Sequence, residues 1–214
     1  MPSADAILER LTATANDWRT LAIVWHVLVA GLILTIVTGQ RVPNRITASL
    51  LVLPVLSVCA LAWIAGNPVN SVIFGALSLV LLMTVRRLPS GPVRLASVTS
   101  VWAGALLIAF GWVYPHFLEA THWTIYLLAA PTGLLPCPTL ATVIGFTVML
   151  ESLHAVAWRT TLVGAAIVYG VAGLLWLGVA IDVGLLAGAG ALAYACRPRD
   201  ERHRRRGLEQ RSSA

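Results

Sequence analysis

The chain has 214 residues, of which 58% are hydrophobic and 11% charged, with a mean hydropathy of +0.82. A soluble domain carries about 25% charged residues, so the polar surface needed by a soluble enzyme, a nucleic-acid module, a disordered chain or a disulfide scaffold is missing. The class that remains is an all-α, polytopic transmembrane helical bundle.

The N-terminal segment, residues 1–17, reads as interfacial: Ile7, Leu8 and Leu11 share one face of a short helix over Ser3 to Thr14. Two acids precede Arg10, which does not suit a cleavable signal peptide. A spanning helix needs about 20 apolar residues. In chain order the candidates are Trp18 to Thr38, Ile46 to Ala65, Ser71 to Val85, Leu95 to Val113, Trp123 to Leu150, Thr160 to Ala180 and a short Val183 to Cys196. That gives about seven membrane segments in a transmembrane domain of residues 18–196.

All 15 basic residues are arginine, and seven of them lie between Arg197 and Arg211. Residues 197–214 therefore read as an Arg-rich cytoplasmic tail without fixed structure. Beside a span, its expected partner is the anionic lipid head groups of the inner leaflet, at about 1 kcal/mol per arginine near the surface, rather than nucleic acid. Arginines also mark the loops at 40–45, 86–95 and 151–159, and are absent from those at 67–70, 114–123 and the Asp182 turn. The positive-inside rule then puts the C-terminus in the cytoplasm and the N-terminus outside. Tryptophans 18, 102, 112, 123, 158 and 176 fall near span ends, as in an aromatic belt. Gly184-x-x-x-Gly188 offers a close-approach face, for packing within the bundle or for an oligomer.

The fifth segment contains Pro131-Thr132-Gly133-Leu134-Leu135-Pro136-Cys137-Pro138, through which no regular helix passes. A break at membrane depth frees backbone dipoles, which are tolerated only against protein or in a wet cavity. The broken-helix site is therefore Pro131, Gly133, Pro136, Cys137, Pro138 and Thr139. Cys137 is expected at the cap of the second half-helix, where the dipole favours a thiolate; the alternative is a small residue fitted to a kink. His116 and His122 precede the segment and, with Cys137, offer nitrogen and sulfur ligands for a transition metal ion, or are ordinary interfacial residues. The cysteines Cys59, Cys137 and Cys196 are too dispersed for a disulfide framework or a CxxC knuckle.

Four further ionisable residues are candidates for a proton relay: His26, Glu151, His154 and Asp182. Each has a plainer alternative. His26 can be neutral and bonded to a carbonyl, Glu151 and His154 can be a solvated pair one helical turn apart, and Asp182 can cap the last helix.

The run Pro131-x-Gly133-x-x-Pro136-Cys137-Pro138-Thr139, preceded by Tyr114-Pro115 and His122 and followed by Ile181-Asp182-Val183-Gly184-Leu185, resembles a family of small bacterial polytopic membrane proteins of unknown function. The likeness covers roughly residues 112–190, with Thr121 where the family has Gly before the His and Leu140 where it has a second Thr. It implies a multi-pass protein of the bacterial inner (plasma) membrane and brings no activity with it. Three functions are weighed: a small permease or channel-like protein for an ion, metal or small solute; a non-catalytic structural or accessory subunit of a membrane complex; and, last, a membrane-embedded thiol or redox enzyme.

Overall fold

The computed structural model describes residues 3–119 and 122–195. Among the described residues the regular structure is helical: α1 (Ala4–Asp17), α2 (Arg19–Val37), α3 (Asn44–Ile64), α4 (Pro68–Val85), α5 (Val98–Val113), α6 (Thr124–Ala129), α7 (Pro136–Met149), α8 (Val156–Val171) and α9 (Val183–Ala195). A π-helical turn, Ala172–Trp176, prolongs α8, and 3-10 turns follow α7 and precede α9. Local chemistry sets the starts. Ser3 Oγ accepts from Ala6 N (3.3 Å), Asn67 Oδ1 from Asn70 N (3.1 Å) and Ser97 Oγ from Ser100 N (3.3 Å), so α1, α4 and α5 each have a polar cap. The expected interfacial helix before residue 18 is α1.

Four helices are long and apolar enough to cross a membrane: Arg19–Val37, Asn44–Ile64, Pro68–Val85 and Val156–Trp176. Val98–Val113, Pro136–Met149 and Ala180–Ala195 are apolar but shorter. The expected count of about seven is therefore not carried by helix length. The shortfall has local causes. The Ser97 cap starts α5 late, the proline run removes the first part of the fifth segment, and the 14 residues left in α7 rise only about 21 Å.

The connections expected to alternate by arginine content lie at alternate ends of the bundle. At one end Asn44 N donates to Gly91 O (2.8 Å), Val93 N to Val42 O (2.9 Å), Ala96 N to Met149 O (2.8 Å) and Glu151 N to Arg94 O (2.9 Å). At the other, Arg10 Nη1 donates to Gly66 O (2.9 Å), Asn16 Nδ2 to Phe117 O (3.1 Å) and Arg19 Nη2 to Glu119 O (2.7 Å). These bonds gather α1, the α3–α4 turn and the loop after α5.

Polarity is inverted relative to a water-soluble domain. Val27, Val72, Leu106 and Leu175 face outward, each two-thirds or more exposed, while His26, Ser71, Ser78, Thr139, Thr142, Thr147 and Asp182 are buried. Buried hydroxyls bond back to their own helices, as Thr142 Oγ1 does to Pro138 O (2.9 Å) and Thr147 Oγ1 to Val143 O (2.8 Å). An apolar outside around a polar-spotted interior is compatible with a membrane protein.

Helix α7 is the central post, with every residue but Cys137 buried. Helix α5 crosses it on glycines: a Cβ on Gly145 would lie 2.7 Å from Gly104 O, and one on Gly111 would strike Thr142. Helix α9 completes the sleeve, Gly184 sitting on the Phe110 ring and Gly188 on Leu107. Of the two expectations for the Gly184/Gly188 face, packing within the bundle is the one seen here, against α5 of the same chain. Trp158 also departs from the belt. It is buried, and its Nε1 donates to Thr147 Oγ1 (3.0 Å), whereas Trp18, Trp102, Trp123 and Trp176 are exposed. Cys196 and the tail 197–214, with its expected lipid contact, lie outside the described residues.

Gly104→Ala should lower stability by about 1–3 kcal/mol through overpacking, since the added carbon would lie 2.9 Å from Met149 Cβ. Gly190→Ala, with nothing within 4 Å, should be neutral or stabilising by up to about 1 kcal/mol. Denaturant unfolding in micelles reads both.

Candidate functional site

The fifth segment is broken where the prolines and glycine place the break, between Ala129 and Pro136. Pro131 and Pro136 carry no backbone donor, and four of the donors at the break find acceptors nearby. Thr132 N donates to Ala130 O (2.7 Å), Leu134 N and Leu135 N to Pro131 O (3.1 and 3.0 Å), and Gly133 N to Thr139 Oγ1 (2.8 Å). Thr139 Oγ1 in turn donates to Leu135 O (2.6 Å), and Thr132 Oγ1 to Gly111 O (2.6 Å). Gly133 is required twice over: its φ is +77°, and a Cβ there would strike the Trp25 ring. Residues 129–136 are all buried.

Thr139 thus meets part of the polar demand of the break, and Thr132 ties the break to α5. The cavity that touches Leu134, Leu135 and Pro136 measures about 20 Å³, with Arg10, Asn67 and Asn70 on its far wall. That is room for about one water. Cys137 is not the cap: Leu135 holds that position, Pro136 and Cys137 form the first turn, and the thiol points elsewhere.

It points to Asp182. Cys137 Sγ donates to Asp182 Oδ2 (3.2 Å), and Tyr114 Oη donates to Asp182 Oδ1 (2.7 Å). Asp182 is 2% exposed and Tyr114 fully buried. Three helix ends build this cluster. Tyr114 ends α5, Cys137 opens α7, and Asp182 lies in the 3-10 turn Ala180–Asp182 that leads into α9. The π-helical turn after α8 supplies the fourth wall, where Gly173 has no side chain; a Cβ there would strike Asp182 Oδ2. Asp182 therefore spends its carboxylate on other helices rather than on capping α9. An isolated carboxylate inside apolar protein costs several kcal/mol, and each charge-assisted bond returns about 1.5–3 kcal/mol. Exposed His116 lies within electrostatic reach of Asp182 from the loop after α5, and Phe117 beside it holds an uncommon positive φ of 74° while stacking on Tyr114.

The remaining candidates are dispersed. His116 and His122 are both exposed, and among the described residues no three His, Cys, Asp or Glu side chains form a group that could hold a metal ion. The Cys137/His116/His122 ligand set is therefore not assembled. His26 is 4% exposed, its ring nitrogens 2.8 Å from Ala22 O and 3.0 Å from Trp112 O; it ties α2 to the end of α5. Glu151 sits in the 3-10 turn after α7, and His154 Nε2 lies 2.9 Å from Thr147 O, both at the arginine-bearing end. Asp182 and His26 belong to the other half, so the four residues do not form one relay.

Sequence reasoning proposed Cys137 and Asp182 separately and missed Tyr114 and Gly173 as their partners. The Tyr114-Pro115, Pro136-Cys137-Pro138 and Ile181-Asp182 stretches each supply one of the three bonded side chains. In comparison with known proteins, no family model, curated protein or solved structure matches the chain.

Tyr114→Phe should cost about 1.5–3 kcal/mol by stripping one donor from the carboxylate. Gly173→Ala should be destabilising as well, whereas Gly164→Ala, which has nothing within 4 Å, should not be. Thermal unfolding of the three variants in one detergent separates the outcomes.

Proposed function

We propose that this chain is a multi-pass protein of a bacterial inner membrane that handles a small cation at Asp182, as a small permease or channel-like protein. The observation that carries the reading is the buried Asp182 carboxylate with a phenol and a thiol on its two oxygens. An ionisable group kept inside a membrane bundle is expensive and marks ion pathways more often than packing. The likeness of Pro131–Thr139 to the small bacterial membrane family belongs to the same reading, since its three stretches meet at this carboxylate.

On this reading the four long apolar helices, Arg19–Val37, Asn44–Ile64, Pro68–Val85 and Val156–Trp176, cross the bilayer, with the shorter α5, α7 and α9 packed among them. The end with the arginine-bearing loops 40–45, 86–95 and 151–159 is the cytoplasmic one on the positive-inside rule, Arg10 and Arg19 at the other end being offset by Asp5, Glu9 and Asp17, and this leaves the N-terminus and the Asp182 cluster toward the outside. A proton is the better-supported cation. A soft metal would need more ligands than the single thiol and carboxylate that meet here.

A second reading, a structural or accessory subunit, is favoured by the burial of the break and its one-water cavity. A thiol enzyme has least support, because Cys59 is engaged with Ser71 O (3.2 Å) and forms no bridge to Cys137.

The full chain reconstituted into liposomes should dissipate an imposed pH gradient faster than empty liposomes, and Asp182→Asn should slow this about tenfold or more. Wild-type protein no faster than empty liposomes, together with a stoichiometric partner recovered from native membranes, would replace this reading by the accessory one.

A further inference from the structure

A second site lies on the outer end, away from Asp182. Between α1 and the last turn of α3 runs a cavity of about 240 Å³, lined by Arg10, Thr14, Asp17 and Trp18 on one side and Leu61 and Ile64 on the other. Arg10 and Asp17 are seven residues apart, which puts them on one face of α1 about 10 Å apart along its axis. Both are exposed, and among the described residues neither makes an ion pair. Arg10 spends one N–H on Gly66 O (2.9 Å), out of the five that a guanidinium carries. The groove thus has a cation at one end, an anion at the other, a half-exposed Trp18 beside it, and an apolar floor that continues into Ile64, 65% exposed.

We propose that this groove binds the head group of a zwitterionic phospholipid with a primary amine, phosphatidylethanolamine in its chemistry. The phosphate lies at the free N–H groups of Arg10. The ammonium, with three N–H donors, lies at the Asp17 carboxylate, and an acyl chain follows the Leu61–Ile64 face. Charge complementarity selects this occupant. An anionic head group would meet Arg10 but be repelled by Asp17, and a trimethylammonium has no N–H to give the carboxylate. The site rests on the membrane placement proposed above and is independent of any transport at Asp182.

The test has two parts. Flotation of the full chain with mixed phosphatidylcholine and phosphatidylethanolamine vesicles checks the placement itself, and a chain that stays with the aqueous fraction defeats that reading. Native mass spectrometry of the full chain in non-ionic micelles then compares phosphatidylethanolamine, phosphatidylcholine and phosphatidylglycerol. Wild type should retain the ethanolamine lipid about tenfold better than either of the others. Asp17→Asn, a surface change with no hydrogen bond to lose, should abolish that preference while phosphatidylglycerol binding rises. Arg10→Gln, checked for helical content by circular dichroism, should weaken all three. Equal retention of the three lipids by wild type, or a preference unmoved by Asp17→Asn, overturns the proposal.

Discussion

A carboxylate inside an apolar bundle must be given donors or it will not stay there. Asp182 receives them from the end of one helix and the first turn of another, and that need fixes where α5, α7 and α9 stop and start relative to one another. Tyr114 can reach Asp182 only because α5 ends at Val113, and Cys137 can reach it only because the proline run shifts the start of α7 to Pro136. The break in the fifth segment is therefore less a vacancy than a register device. It delivers a thiol to a carboxylate 45 residues further along the chain.

Packing makes that delivery accurate. The glycines that bring α5 against α7, Gly104, Gly111 and Gly145, set the height of Tyr114 relative to Cys137. Gly184 and Gly188 then seat α9 on Phe110 and Leu107, so that the turn before α9 arrives with Asp182 facing inward. Gly173, in the π-helical turn, leaves the space that the carboxylate fills. Small residues thus govern the chemistry indirectly, by setting distances between backbones rather than by touching anything reactive.

The sequence was most informative where its signal was compositional. Hydropathy located the helices, arginine content sorted their connections between two ends, and Pro131, Gly133, Pro136 and Pro138 located the break. It was least informative where the answer depended on partners far along the chain. That Thr139 would bond within the break and Thr132 to a neighbouring helix could not be read from their positions, because Thr132 finds its acceptor on Gly111 of α5. Cys137 and Asp182 each stood out, but nothing local joins them. Gly184 and Gly188 were visible as a contact face, yet whether that face met α5 or another molecule is a question of tertiary placement. Trp158 looked like an interfacial anchor for the same reason: position along a span is visible in one dimension, and orientation around the helix axis is not.

Helix α7 has protein on every side, and its 14 residues are too few to hold a place in hydrocarbon alone. Its threonines, the oxygen acceptors at its first turn and its bare glycine make sense only once neighbours surround it. Its place is set by α3, α5, α8 and α9 packing around it rather than by its own length. In this molecule the helix with almost no outward face occupies the middle, and it owes its place to the neighbours around it.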